Sequence, residues 1–283
     1  MASINWYPGH MAKTRRLISE KIKFIDVVFE VVDARMPYSS KIKDLDKFTN
    51  NKHKLMIMTK YDLCDKKETN KWIKNYEDEG YVVLPMDISK KIDKKLILDK
   101  TNELMSESNK KREAKGLKTR KTKILIVGIP NVGKSTLINR LVSKNVTKTG
   151  NKPGVTKGLE WIRINKDYEL LDSPGILWPK IQTEEEAYNL ASLTAIKEEI
   201  LSISDVALYI INTMSKYYKE ALEDRYNIKV SNDINAMLDE IGKKRGCLIK
   251  GGEVDYDKVY NVIINDVKNG NIKNITFDRW SNE

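Results

Sequence analysis

The sequence predicts an α/β protein with an open sheet and a phosphate-binding loop, followed from about residue 184 by a smaller all-helical part. Three observations carry that prediction. The stretch GIPNVGKST, Gly128 to Thr136, lies between the apolar run Lys123 to Val127 and the helix-patterned TLINRLVSK, so a strand turns into a helix around two glycines. Apolar runs of strand length at 26–35, 54–63 and 81–90 each end in polar residues. Beyond 184 the apolar positions recur at intervals of three and four, as at Val259, Val262, Ile263 and Val267.

A chain of 283 residues with 40% apolar content can bury a core in each of two parts. Lysine and arginine number 51 against 40 acids, and the resulting +11 favours a polyanionic partner. Cys64 and Cys247 have neither disulfide nor metal spacing, which suits a reducing compartment. The opening MASINWYPGHMAK lacks the apolar core of a signal peptide, and no apolar run reaches membrane-spanning length. The expectation is a cytoplasmic protein without a membrane contact.

Residues 1–24 interleave Trp6, Tyr7 and His10 with Lys13, Arg15 and Arg16, a mixture that can stack on bases and grip phosphates. Leu17, Ile18, Ile22 and Ile25 fall at helical spacing, so a helix is expected over Met11 to Ile25. DVVFEVVDAR, 26–35, reads as a buried strand whose end delivers Asp33 and Arg35 to the ligand edge of the sheet, and a loop with a short helix follows. The next strand, KLMIMTKYDL, ends in TKYD. There the Asp62 carboxylate can accept two N–H bonds from a guanine edge, and the Lys60 stem can pack on the base. Thr59 stands where such loops usually carry asparagine, which removes one side-chain amide and leaves the selecting carboxylate. A helix over 67–79 leads to the strand 81–90, where Ser89 of ISK belongs to a loop placed to touch the guanine oxygen. A helix over 92–108 precedes 109–123, which carries eight basic residues against Glu113 alone. That stretch is either a solvated linker or a nucleic-acid contact.

In the glycine-rich turn, Gly128 and Gly133 let successive amides point at phosphate oxygens ahead of a helix N-terminus. Asn131, Val132, Gly133, Lys134, Ser135 and Thr136 are therefore candidate nucleotide contacts, with Lys134 reaching the β and γ phosphates and Ser135 offering its hydroxyl to Mg²⁺. In the polar loop 145–157, Thr156 is placed to meet Mg²⁺ and the γ-phosphate. Two short strands follow, LEWIRI and YELLDSPG, and the second brings Asp172 to Mg²⁺ and the Gly175 N–H to the γ-phosphate. An ATPase would explain the phosphate loop, but not GVT, DSPG and TKYD together. The residues point to GTP.

The guanine-reading elements precede the phosphate loop, whereas the usual GTPase order places them after DxPG. A site needs adjacency in the sheet and not in the chain, so the reading is a P-loop GTPase domain of circularly permuted topology over 1–183 and a helical RNA-binding domain over 184–283. The segment leaving DSPG then runs into the helical domain, so hydrolysis can reposition it.

On NWYPGHMAK, VVDAR, GIPNVGKST, PGVTKG, LLDSPGIL and KKRGCLIKGGEVDYDKV, the chain resembles the circularly permuted GTPases of ribosome biogenesis, the YlqF/RbgA family, over nearly its whole length. The resemblance implies GTP hydrolysis coupled to late maturation of the large (50S) ribosomal subunit, with contacts to its rRNA; a monomer is the separate expectation. Ile176 follows DSPG where many GTPases place a water-orienting glutamine. The resemblance points instead to His10 of PGHM, which either positions the water or stacks on RNA. It also makes Asn131 a candidate K⁺ ligand. The alternatives are a GTP-latched RNA-binding scaffold without catalysis and a GTPase acting on another RNA.

Overall fold

The computed structural model describes residues 9–49, 52–117, 120–142, 147, 158–178, 181–193, 195–196 and 201–280. At its centre is β1 (Val27–Asp33), buried at every position, as a strand covered on both faces must be. β1 pairs in parallel with β2 (His53–Thr59) on one side and with β4 (Thr122–Gly128) on the other. β3 (Val82–Pro85) continues the sheet beyond β2, and β6 (Tyr168–Asp172) continues it beyond β4. β5 (Glu160–Arg163) closes that edge antiparallel to β6. The order is therefore β3-β2-β1-β4-β6-β5. The chain winds outward from β1 through β2 to β3, then returns to β1's other side at β4. Such a reversal opens a crevice at the carboxyl ends of the two central strands. Thr59, Asp33, Gly128 and Asp172 all stand on that edge. The permuted order of motifs thus closes into one continuous site edge.

The helices α1 (Gly9–Lys21), α2 (Leu45–Thr49), α3 (Lys66–Asp78), α4 (Lys94–Glu113) and α5 (Lys134–Val142) belong to this part. Asp65 caps α3 by accepting from the Lys67 and Glu68 amides, and Asp93 caps α4 through the Leu96 amide. α4 runs five residues beyond the periodicity-based limit of 108, into the basic stretch. Lys110, Lys111 and Arg112 occupy its last turn, where cations complement the helix dipole.

α6 (Glu184–Ser192), α7 (Ile203–Tyr217), α8 (Lys219–Tyr226), α9 (Ile234–Arg245) and α10 (Tyr256–Lys268) make up the helical part. Val259, Ile263 and Val267 of α10 are fully buried, and α10 packs on α7. The pattern over 206–226 reads as one helix; the structure breaks it at Tyr218, with φ −140° and ψ 42°. The reason is tertiary. The Tyr218 hydroxyl donates to Thr276 O (2.9 Å) and accepts from Thr276 N (3.0 Å), so the residue is held by the C-terminal segment.

That segment, 270–280, returns across the α/β part, which periodicity did not foresee. Ile275 N donates to Leu63 O (3.2 Å), and Phe277 N donates to Arg35 O (2.7 Å). Gly270 has φ +73°, and a Cβ there would lie 2.7 Å from Leu63 Cδ1. The Asp278 carboxylate accepts from Tyr38 N (2.7 Å), Ser39 N (2.8 Å) and Asn189 Nδ2 (2.9 Å). Among the described residues, no helix is long and apolar enough to cross a membrane.

Candidate guanine-nucleotide site

The phosphate loop is shaped by close approach on both sides. Asn131 has φ 64° and Gly133 φ 100°. Asparagine tolerates the left-handed region and glycine enters it at no steric cost. A Cβ on Gly128 would lie 2.6 Å from Val31 O, and one on Gly133 would lie 2.5 Å from Ile88 Cδ1. The ISK loop therefore packs directly on the loop's second glycine. On the far side, a Cβ at Gly175 would lie 2.8 Å from Pro130 N, and Ile176 N donates to Gly128 O (3.2 Å). Ser173 Oγ anchors the same DSPG turn to Ile126 O (2.7 Å).

Lys134 opens α5 and is buried, with Nζ 3.3 Å from Gly128 O. Burial pushes its ammonium down to about 8, with the Asp172 charge opposing. A buried cation curled onto its own loop is a group set to pair with an anion, and the cradle fits a phosphate chain. Ser135 follows it in α5, Thr136 comes next, and Asp172 ends β6 in register with Ile126. A hydroxyl and a carboxylate at this edge fit the oxygen-rich coordination of Mg²⁺.

TKYD meets the loop from β2. The fully buried Thr59 directs its hydroxyl to Val132 O (2.6 Å) and lies 3.2 Å from Val32 O. It acts through the loop and not at the crevice surface, a tie that its hydroxyl makes without the usual asparagine amide. Lys60, with φ 58°, donates from Nζ to Asn131 O (2.9 Å) and to Asp33 Oδ2 (2.8 Å). Strained backbone at Lys60 and Asn131 is thus matched across one hydrogen bond. The carboxyl of Asp62, beside them, is raised by burial and by the neighbouring Asp87. A guanine edge donating two N–H groups suits that crowded carboxylate. Ser89 turns on Asp87, its amide donating to Oδ1 at 2.8 Å, and Arg140 holds Ser89 O at 2.7 Å.

Arg35 shows a role that VVDAR signalled only as a polar strand end. It is fully buried, forks onto both Asp33 oxygens (3.1 and 3.0 Å), and donates to Val267 O of α10 at 2.6 Å. Burial alone would raise the Asp33 carboxyl; the Arg35 and Lys60 charges outweigh it and hold the group well below the usual carboxylate range. One chain of bonds, Val267–Arg35–Asp33–Lys60–Asn131, therefore connects the helical part to the phosphate loop.

Ile176 is fully buried, so it presents nothing to a nucleotide. The backbone of His10 lies in α1; its side chain, and the whole of Thr156, fall outside the described residues.

A family model described as "50S ribosome-binding GTPase" matches residues 123–249, beginning at β4 and leaving out the strands that the permutation moved ahead of it. Ribosome biogenesis GTPase A of Priestia megaterium is 44% identical, with 98% of this chain and 96% of that one covered. The protein of the same name from Bacillus licheniformis is 45% identical, with 98% of each covered. The chain belongs to the ribosome biogenesis GTPase A family. A crystal structure of GNP-bound YlqF from Thermotoga maritima superposes with a TM-score of 0.66 at 25% identity, covering 94% of this chain and 98% of that one. In this chain, the buried Thr59 and the Arg35 bridge are the parts of the site that only tertiary contacts make visible.

Proposed function

We propose that this chain binds and hydrolyses GTP to drive a late step in assembly of the large ribosomal subunit, in contact with its rRNA, as a cytoplasmic monomer. The observation that carries the reading is the convergence of the phosphate loop, TKYD and DSPG on one sheet edge, although TKYD lies 71 residues upstream in the Lys60–Asn131 pair. The names of the relatives supply the cellular process.

In this reading, the amides of 131–136 and the Lys134 ammonium bind the phosphates, and Asp62 with Lys60 selects and packs the base, with Ser89 at the base's oxygen side. Mg²⁺, when bound, neutralises phosphate charge; Ser135, Asp172 and Thr156 would hold it, and the Gly175 N–H would meet the γ-phosphate. Asn131 would hold K⁺ near the phosphates. The buried Ile176 supports assigning water positioning elsewhere, to His10. The boundary near 183 then separates a catalytic domain from an RNA-binding one that follows the DSPG segment.

The test is GTP turnover in KCl and in NaCl, with and without purified large subunits, for the parent chain and His10→Ala. Stimulation by subunits that needs K⁺ and is lost in His10→Ala, with nucleotide affinity retained, is the expected result. Turnover insensitive to subunits in a protein that still binds GTP overturns the assembly role and favours a nucleotide-latched scaffold. Equal rates in both salts remove K⁺ from Asn131.

A further inference from the structure

Lys23 and Phe24, which end the first basic stretch of the sequence, meet Arg120 and Lys123 of the second at the end of the sheet opposite the phosphate loop. Asp26 stitches them together. Its carboxylate takes both Arg120 guanidinium nitrogens (2.9 and 2.5 Å) and the Lys123 amide (2.9 Å), and its own amide donates to Lys123 O (2.8 Å). Arg112 and Leu117, at and beyond the end of α4, line a cleft of about 100 Å³ with Asp26 and Arg120. Beside it, two large aromatic side chains are left in solvent: Phe24 is 46% exposed and Trp161 40%. Lys123 Nζ lies 5.8 Å from the Phe24 ring centroid and 5.1 Å from that of Trp161, and Lys23 Nζ lies 5.1 Å from Phe24. Glu169, which faces Lys123 in the β4–β6 register, is held by Lys121 at 2.6 Å, so its charge is already matched.

Exposed rings that bracket an ammonium group suit one ligand chemistry. A base has a π-face for each ring, and its phosphate meets the lysines between them. Duplexes keep their bases stacked, so the ligand is a strand whose bases are free. Lys123 is the second residue of β4 and Gly128 its last, which puts this surface about 17 Å from the phosphate loop at ~3.3 Å per residue.

We propose that Phe24, Lys123 and Trp161, with Lys23 and the basic end of α4 beside them, form a binding surface for single-stranded RNA, separate from the nucleotide crevice. The inference rests on the RNA contact in the proposed function, and it names where unpaired bases dock.

The probe is a fluorescently labelled, unstructured oligoribonucleotide, with a hairpin duplex of matched composition as control, read by anisotropy against the full chain. Phe24→Ala and Trp161→Ala each weaken single-strand binding about tenfold, within the range for a lost base–aromatic stack. Lys123→Met lowers the salt slope by about 0.7. All three keep the parent affinity for GTP, which also reports folding. Single-strand binding unchanged in the Phe24→Ala/Trp161→Ala double variant, or a preference of the parent chain for duplex, overturns the proposal. So does loss of subunit association with oligonucleotide affinity intact, which identifies a protein contact instead. If the double variant binds RNA normally while subunits still stimulate GTP turnover, this surface is wrong and the assembly role stands. If subunits do not stimulate the parent chain, the assembly role itself fails.

Discussion

The phosphate loop and the C-terminal segment approach one buried network from opposite sides, and they are built by different means. The loop's backbone shape comes from neighbours in sequence: two glycines, a left-handed asparagine and a lysine that opens the next helix. The C-terminal segment has no motif, and its contacts are remote, with Asp278 accepting from Tyr38 N across 240 positions. Chemistry is local in this molecule, while the orientation of the chemistry is a long-range property. Arg35 joins the two regions, since one guanidinium bonds both Asp33, which holds Lys60, and the end of α10.

Removing Arg35 is the strongest test of that junction. Arg35→Met leaves the Asp33 carboxylate buried with Lys60 as its remaining cation, and loss of one partner from such a pair costs about 3–5 kcal/mol. The expected reading is a lower urea midpoint at unchanged slope, partly recovered in Asp33→Asn/Arg35→Met. A variant as stable as the parent would break the comparison, because the two regions would then be independent.

Lys134→Ala sharpens it from the other side. GTP turnover should fall about 10²–10³-fold, the usual loss when one preorganised charge contact is removed. Stability should not fall, because the substitution removes a buried ammonium that burial already disfavours. A protein that unfolds instead would assign Lys134 to the scaffold.

The C-terminal segment carries its own pH signature. Burial pushes the Asp278 carboxyl up to about 6, against the donors on Tyr38 and Ser39 that favour its charged form. A carboxyl raised above its unfolded value contributes stability that is complete below about pH 3.9 and lost as pH rises through about 6, by about 3 kcal/mol. Asp278→Asn should flatten that part of the curve, measured as urea midpoints between pH 4 and 7. Glu30, raised by burial to about 7, should keep its own decline in the same variant, overlapping that window and running on to about pH 7. An unaltered profile would mean that Asp278 is charged when folded.

The smallest effect is expected at Thr59. Thr59→Val deletes the hydroxyl that holds Val132 O, and one hydrogen bond is worth about 1 kcal/mol. Nucleotide affinity should weaken about fivefold by calorimetric titration. No change would show that the loop keeps its shape unaided.

How much of this was legible in the sequence follows the same division. The strands and the phosphate loop depend on periodicity and on residues a few positions apart, so they could be read directly. The split of 206–226 at Tyr218 could not, because its cause lies at Thr276. Nor could the function of Arg35 or the inward turn of Thr59 be read from TKYD and VVDAR, since their partners are on other strands and helices.

The sequence by itself determined that an α/β nucleotide-binding unit with TKYD ahead of its phosphate loop would precede a helical part. Backbone freedom at two glycines, a carboxylate in TKYD and the period of apolar residues are properties of short stretches, and short stretches are sufficient to specify them. Only the tertiary structure decided that β1 lies between β2 and β4, so that the permuted elements share one edge. It also decided that residues 270–280 bind back to Arg35 and Leu63, and that two distant basic stretches share one surface around Lys123. Those outcomes depend on burial of polar groups that must find partners wherever the chain brings them, and the whole fold settles which partners are within reach.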